Sequence, residues 1–335
     1  MKALLMVAHG SRDPEGNERV LQFIEYLKPS LDPDLLVETC FLEFVTPDIQ
    51  MGIDACVRQG AEQIVVIPIM LLQAGHSKIH IPAAIDEAKK RYPQLHFTYG
   101  RPIGIHPEIL EICRERLEEI GEEPLSPDPQ TAVLLLGRGG SDPDANSDLY
   151  KISRLLWERL GYKLLEPAFI GVTDPLMAEG VDRLIKLGAK KVIILPYFLF
   201  TGILIKRLEK MMDDFRSAYP HCEFQLAGYL GLHKRLVTTL LDRIEEALQD
   251  KVRMNCDTCQ YRMEAGELIG HHHHHDHHHG EEHHACDHGH HGHGKHVCCH
   301  DHHGQGEHDC HHGHHGHDHA CHREHHPVQV AASDK

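Results

Sequence analysis

At 335 residues and a formal charge of −16 with neutral histidines, the chain has room for two ordinary domains plus an extension, each domain able to bury its own core. It lacks the basic footprint that a general nucleic-acid or anionic-membrane surface requires. No apolar run approaches the roughly 20 residues that cross a bilayer, and the first residues enter a strand with no cleavable leader pattern, so a cytoplasmic protein is expected. The 11 cysteines do not amount to a disulfide framework; Cys40, Cys56, Cys113 and Cys222, scattered through the core-forming part, read as free buried thiols.

The apolar run Ala3-Leu4-Leu5-Met6-Val7-Ala8 reads as a buried strand that empties at His9-Gly10-Ser11-Arg12-Asp13. Residues 17–27 place Val20, Phe23, Ile24 and Leu27 on one helix face, and residues 35–42 read as a strand ending at Glu43. Thr46-Pro47-Asp48 offers an N-cap followed by proline at the first helical position, opening a helix to about residue 59. The continuous apolar run 64–72 suits a strand covered on both faces of a parallel sheet, and it opens into Gln73-Ala74-Gly75-His76. A helix over 79–91, a strand over 96–99 and a helix over 107–120 complete the unit.

The unit then returns. Ala132-Val133-Leu134-Leu135-Leu136-Gly137-Arg138-Gly139-Gly140-Ser141-Asp142-Pro143 copies the first strand and its loop at a spacing of 129 residues, and Asn17 matches Asn146. Pro47 is echoed by Pro175, and 60–68 by 188–196. Alternating strands and helices of these lengths predict an α/β fold, two tandem units each with a parallel sheet covered on both faces. The expected organisation is a first half over 1–121, a proline-rich linker over 122–131, a second half over 132–250, a short segment over 251–270 and a tail over 271–335.

Three polar strand-end positions were not copied: His9 faces Arg138, Glu43 faces Gly171 and His76 falls near Leu204. Ligands of open parallel sheets bind beyond the carboxyl ends of the strands, so His9, Glu43 and His76 are expected to converge on one rim. Two imidazoles and a carboxylate make an open shell for divalent cobalt, nickel, iron or zinc, and the same imidazoles accept protons when neutral. His80, His96, His106, His221 and His233 lack the strand-end setting and read as surface or capping residues. A phosphohistidine pocket would need an arginine before the histidine, where Ala8 stands. Gly137-Arg138-Gly139-Gly140 has the form of an anion-binding loop, a weak signal on glycine content alone.

Ala8-His9-Gly10-Ser11-Arg12, Phe41-Leu42-Glu43, Pro68 with Gly75-His76, and Leu195-Pro196-Tyr197-Phe198-Leu199-Phe200-Thr201-Gly202 together resemble the class II chelatases, in particular the long cobaltochelatases acting on sirohydrochlorin. The resemblance covers about residues 1–249. It implies two flavodoxin-like halves around a tetrapyrrole, with His9 and His76 binding incoming Co²⁺ and taking pyrrole protons, Glu43 assisting, and no nucleotide. Chemistry is expected from the first half only. Leu71, Leu72, Gln73, Ala74, Gly75, Glu43, Arg12 and Arg138 would line the substrate, with Lys78, Lys206 and Arg207 as further anchors for its carboxylates. Iron insertion for sirohaem, nickel insertion, and metal storage are the alternatives.

Met254-Asn255-Cys256-Asp257-Thr258-Cys259 holds two cysteines at a spacing that clasps one metal or one edge of an iron–sulfur cluster. The same resemblance associates Cys256 and Cys259 with a [4Fe–4S] centre, for which a zinc site or a reducible thiol pair is the rival. Further thiolates would come from the tail or a second chain, which a homodimer would supply. Of 35 histidines, 28 lie between His271 and His326 among glycine, acidic and cysteine residues, too few apolar side chains to build a core. This tail is expected to be disordered and to gather divalent metal ions near the site.

Overall fold

Strands β1 (Lys2–Ala8) and β5 (Thr131–Gly137), each with one polar side chain at its first residue, occupy interior positions of their sheets, where both faces are covered and a polar side chain would lose its water. In the computed structural model, which describes residues 1–252, β1 pairs in parallel with β2 (Leu36–Phe41) and β3 (Gln63–Ile69), and β3 with β4 (His96–Tyr99). The strand order is β2-β1-β3-β4. The second sheet repeats it as β6-β5-β7-β8, with β6 (Leu164–Phe169), β7 (Lys191–Pro196) and β8 (Glu223–Leu226). Ala8 lies level with both Phe41 and Ile69, so the loops after β1, β2 and β3 leave one edge of the sheet together.

Among the described residues, eight α-helices cover the sheets: α1 (Pro14–Leu27), α2 (Ile49–Arg58), α3 (Ile81–Arg91), α4 (Pro107–Glu118), α5 (Pro143–Arg159), α6 (Met177–Lys186), α7 (Ile203–Ala218) and α8 (Lys234–Leu248). Alternate strand residues point to opposite faces. Ala3, Leu5 and Val7 meet Ile53, Ile81 and Ile85 of α2 and α3 on one outer side, and Leu134, Leu136 and Ile194 meet α6 and α7 on the other.

The inner faces of the two halves share one core. Leu4, Met6, Val65 and Ile67 of one sheet and Val133, Leu135, Ile193 and Leu195 of the other belong to a single cluster with α1, α4, α5 and α8. The cause is that α4 packs against β7 while α8 packs against β3 and β4, so each half's last helix crosses to the other's sheet. Arg243 of α8, 2% exposed, fastens the crossing by donating to the Ile103 carbonyl at 3.0 and 2.8 Å. Arg101 pairs with Glu246 at 2.7 Å beside it. Burial lowers the Arg243 guanidinium to about 10.

Element ends differ from the expectations where side chains capture the backbone. α1 starts at Pro14 because the Asp13 carboxylate accepts from the Glu15 N–H. α2 is capped by Asp48, which accepts from Met51, and Pro47 stands before the cap; its carbonyl is held by the Phe41 N–H at 2.9 Å. β3 ends at Ile69 because the Met70 and Leu71 carbonyls turn to Ile103 and Gly104. Cys40, Cys56, Cys113 and Cys222 are free and buried, and burial pushes the thiols of Cys56 and Cys113 up to about 12. No described helix is long and apolar enough to cross a membrane. The segment with Cys256 and Cys259 and the tail lie outside the described residues.

Candidate metal centre

The loop after β1 lies against the loop after β2 because of Gly10. Its φ is +85°, and a Cβ there would stand 2.0 Å from the Glu43 carbonyl oxygen. The Glu43 N–H donates to the His9 carbonyl at 3.1 Å, so the two loops travel as one. Asn17, in the first turn of α1, accepts from the Ser11 N–H and donates to the Ser11 carbonyl, both at 2.8 Å. The second half repeats this frame: Asn146 clasps Gly140 at 3.1 and 2.8 Å, and Gly139 has φ +81° with a Cβ position 2.1 Å from the Gly171 carbonyl.

On that frame His9, Glu43 and His76, each half-buried, bring one ligand atom apiece within 4.8 Å of one another. The two imidazoles meet edge to face, with centroids 4.7 Å apart and planes at 82°. Glu43 Oε1 stands 3.7 Å from His76 Nε2. His9 Nδ1 lies 3.0 Å from the Gly10 carbonyl, which only accepts, so Nδ1 carries the proton and Nε2 the lone pair. Arg138 Nη1 approaches that Nε2 to 3.4 Å from the second half, which places the site between the halves. The His76 pKa falls below the ordinary imidazole range: burial dominates, His9, His80 and Arg138 add to it, and Glu43 opposes. A neutral His76 is therefore a lone-pair donor near neutral pH, and the three side chains make an open, mixed nitrogen and oxygen set for a divalent cation.

The remaining expected residues divide. Arg12 is exposed with its guanidinium 4.9 Å over the Phe44 ring. Leu71 and Leu72 are half-buried against the shared core, Gln73 is exposed, and the Ala74 carbonyl accepts from the Ser77 and Lys78 N–H groups just beyond Gly75. Lys78 and Lys206 are not free anchors. Lys78 pairs with Asp142 and Asp144, both at 2.8 Å, and Lys206 with Asp13 at 2.8 Å and Glu15 at 3.1 Å. The reason is the duplication itself, which sets the capping aspartates of α1 and α5 opposite the lysines of the other half. Leu204 packs into the second outer core. In the glycine-rich loop after β5, the Gly140 N–H donates to Asn146.

His106 and His233 cap α4 and α8 as expected, each accepting from a backbone N–H at 3.2 Å. His80 is exposed, in keeping with the expected surface role, and its ring also lies 4.9 Å from that of His76. The signal was present in the spacing His76-Ser77-Lys78-Ile79-His80. Phe44 was also missed; it is 55% exposed at φ +68°, with its ring 6.5 Å from His9.

The CbiX family model matches residues 3–120 and again 132–247. A sirohydrochlorin cobaltochelatase of Priestia megaterium is 62% identical over 271 residues, 81% of this chain and 88% of its own length. A sirohydrochlorin ferrochelatase of the same organism is 37% identical, over 75% of this chain and 92% of its own. Among solved structures, the sirohydrochlorin chelatase SirB of Bacillus subtilis subspecies spizizenii, in complex with cobalt, superposes with a TM-score of 0.63 at 32% identity, covering 74% of this chain and 96% of that one. Two matches to one family model, over the two halves that the fold repeats, place the chain in the CbiX family.

Proposed function

We propose that the chain is a sirohydrochlorin cobaltochelatase, a lyase that inserts Co²⁺ into sirohydrochlorin with release of two protons, on the way to cobalamin. The convergence of His9, Glu43 and His76 on one rim carries the reading, and the 62% identity to a cobaltochelatase favours cobalt over the iron of the more distant ferrochelatase. Imidazole by itself does not choose sharply among these ions.

In this reading Co²⁺ is a substrate held by His9, His76 and Glu43. The macrocycle lies over it, and two pyrrole nitrogens replace the protein ligands one at a time. As the ion leaves, the lone pairs of His9 Nε2 and His76 are freed beside the two pyrrole N–H groups and take their protons, so two protons leave for each ion inserted. Gly10 holds His9 in the tautomer this needs, and Glu43 passes protons on to solvent. Arg12 and Arg138 pair with substrate carboxylates, which draws Arg138 off the His9 lone pair. Gln73, Ala74 and Gly75 line the macrocycle edge, with Leu71 and Leu72 supporting them from the core.

The same reading assigns residues 1–121 and 132–250 to the two halves, Cys256 and Cys259 to a [4Fe–4S] centre, and 271–326 to a metal reservoir in a cytoplasmic enzyme. A homodimer would supply the cluster's missing thiolates. Iron and sulfide analysis of anaerobically purified protein, wild type against Cys256→Ser, tests the cluster. The activity is tested by following the absorption of sirohydrochlorin with Co²⁺ or Fe²⁺. Wild type should convert it fastest with cobalt, and His9→Ala and His76→Ala should not convert it at all. Metal uptake with an unchanging tetrapyrrole spectrum would replace the enzyme with a storage protein.

A further inference from the structure

The loop that carries His76 holds one residue more than its counterpart. From Pro47 to Lys78 the halves repeat at 128 residues, ending at the pair Lys78 and Lys206. Beyond Lys78 the spacing is 127, from the fully buried Ile81 to the fully buried Leu208 and from the capping His106 to the capping His233. The second half runs through the region as the regular helix α7, whereas the first absorbs its extra residue as a π-helical turn over His76–His80. Such single-residue expansions recur at functional sites, because a straight helix would be the less strained solution.

The expansion leaves His80 exposed with its ring 4.9 Å from that of His76 and the planes at 38°. The turn is held from inside. Ser77 is 1% exposed, its hydroxyl donates to the Ala74 carbonyl at 3.0 Å, and its own carbonyl accepts from Tyr99 at 2.7 Å. Lys78, between the two histidines in sequence, is bound to Asp142 and Asp144, which neutralise its charge. The second half has Leu204 in place of His76, packed into the outer core. His76 therefore stands between the exposed His80, with ring centroids 4.9 Å apart, and the pair formed by His9, 4.7 Å away, and Glu43.

We propose that His80 and His76 form an outer docking position for the divalent cation, from which the ion moves onto Glu43 and His9 without releasing His76. The inference rests on the reading of His9, Glu43 and His76 as the set that holds the metal. Two histidines one helical turn apart are a two-point chelate for such ions. The transfer is ligand exchange alone. The hydrated ion exchanges one water for an imidazole nitrogen of His80 and a second for His76; the Glu43 carboxylate then displaces another water, and the His9 lone pair displaces His80. No electron moves, and at no step is the ion stripped of more than one ligand. Arrival through a ligand that is later surrendered makes His80 a residue of metal entry, with no part in holding the ion during insertion.

Two measurements on the full chain test this. Crystals of the double variant His9→Ala, Glu43→Ala, in which the inner set is disabled, are soaked in Co²⁺ and examined by anomalous diffraction at the cobalt edge. A peak about 2.1 Å from a nitrogen of each of His76 and His80 is expected, and it should vanish when His80→Phe is added; its absence, or its survival without His80, overturns the proposal. Separately, initial insertion rates are measured with free cobalt fixed by a metal buffer, so that the tail does not deplete it. His80→Phe, which keeps a ring against His76, should raise the half-saturating cobalt concentration about tenfold with kcat unchanged, whereas an unchanged cobalt dependence in an active enzyme overturns it. A wild type that inserts no metal while the cobalt peak forms would sink the enzymatic reading and leave the docking position standing.

Discussion

Alanine at position 10 and alanine at position 139 are expected to cost similar stability and to differ in metal binding. Both glycines stand at positive φ, +85° and +81°, where an L side chain loses about 1–2 kcal/mol. Both new methyl groups would meet a backbone carbonyl oxygen, at 2.0 and 2.1 Å, and moving a packed loop aside costs roughly 1–3 kcal/mol more. Each variant should thus unfold in urea with about 2–5 kcal/mol less stability. The carbonyl that Gly10→Ala displaces belongs to Glu43, and the loop it bends carries His9, so the half-saturating cobalt concentration should rise at least about tenfold. The carbonyl that Gly139→Ala displaces belongs to Gly171, where no ligand stands, so the cobalt dependence should stay near wild type. An equal loss of cobalt affinity in both variants, or an unchanged unfolding midpoint for Gly10→Ala, would refute the idea that the glycine contact sets the ligand geometry.

The pH dependence comes from His76, whose imidazole must be neutral to donate. Its lowered pKa keeps it competent to more acidic pH than a free imidazole, and Arg138→Ala removes one of the cations that lower it, so the acid limb of the kcat/KM profile should move up in pH. Arg243→Met strips the Ile103 carbonyl of both its donors inside the shared core and should cost about 2–4 kcal/mol in urea unfolding. Because that core belongs to both halves, Trp157 fluorescence and far-ultraviolet dichroism should still report one transition, and two separated midpoints would contradict a single core. Lys78→Ala breaks a partly exposed pair and should cost about 1 kcal/mol or less, shrinking further at high salt. Deleting residues 271–326 should leave kcat unchanged at saturating cobalt and slow insertion only when cobalt is limiting.

The parts legible in the sequence were those set by short-range pattern. Parallel strands end on one edge, so His9, Glu43 and His76 could be brought together from strand ends alone, and the repeat marked them as the positions that changed. The shared core was not legible, because the apolar inner face of β1 or β5 does not say whose helix will cover it; the crossing of α4 and α8 is decided by contacts more than a hundred residues apart in the chain. Lys78 and Lys206 read as free anchors because their aspartate partners lie in the other half. His80 was passed over because a strand-end criterion takes no account of the helical turn beyond the strand, although the change of repeat spacing from 128 to 127 was there to be counted.

The claim on which the rest depends is that three side chains from three strand ends grasp one ion. Anomalous diffraction from crystals of the wild-type chain soaked in Co²⁺ tests it most directly: the cobalt peak should lie about 2.0–2.2 Å from His9 Nε2, a nitrogen of His76 and a carboxylate oxygen of Glu43. A peak elsewhere, with those three side chains left without metal in a crystal of active enzyme, would remove the foundation of the mechanism.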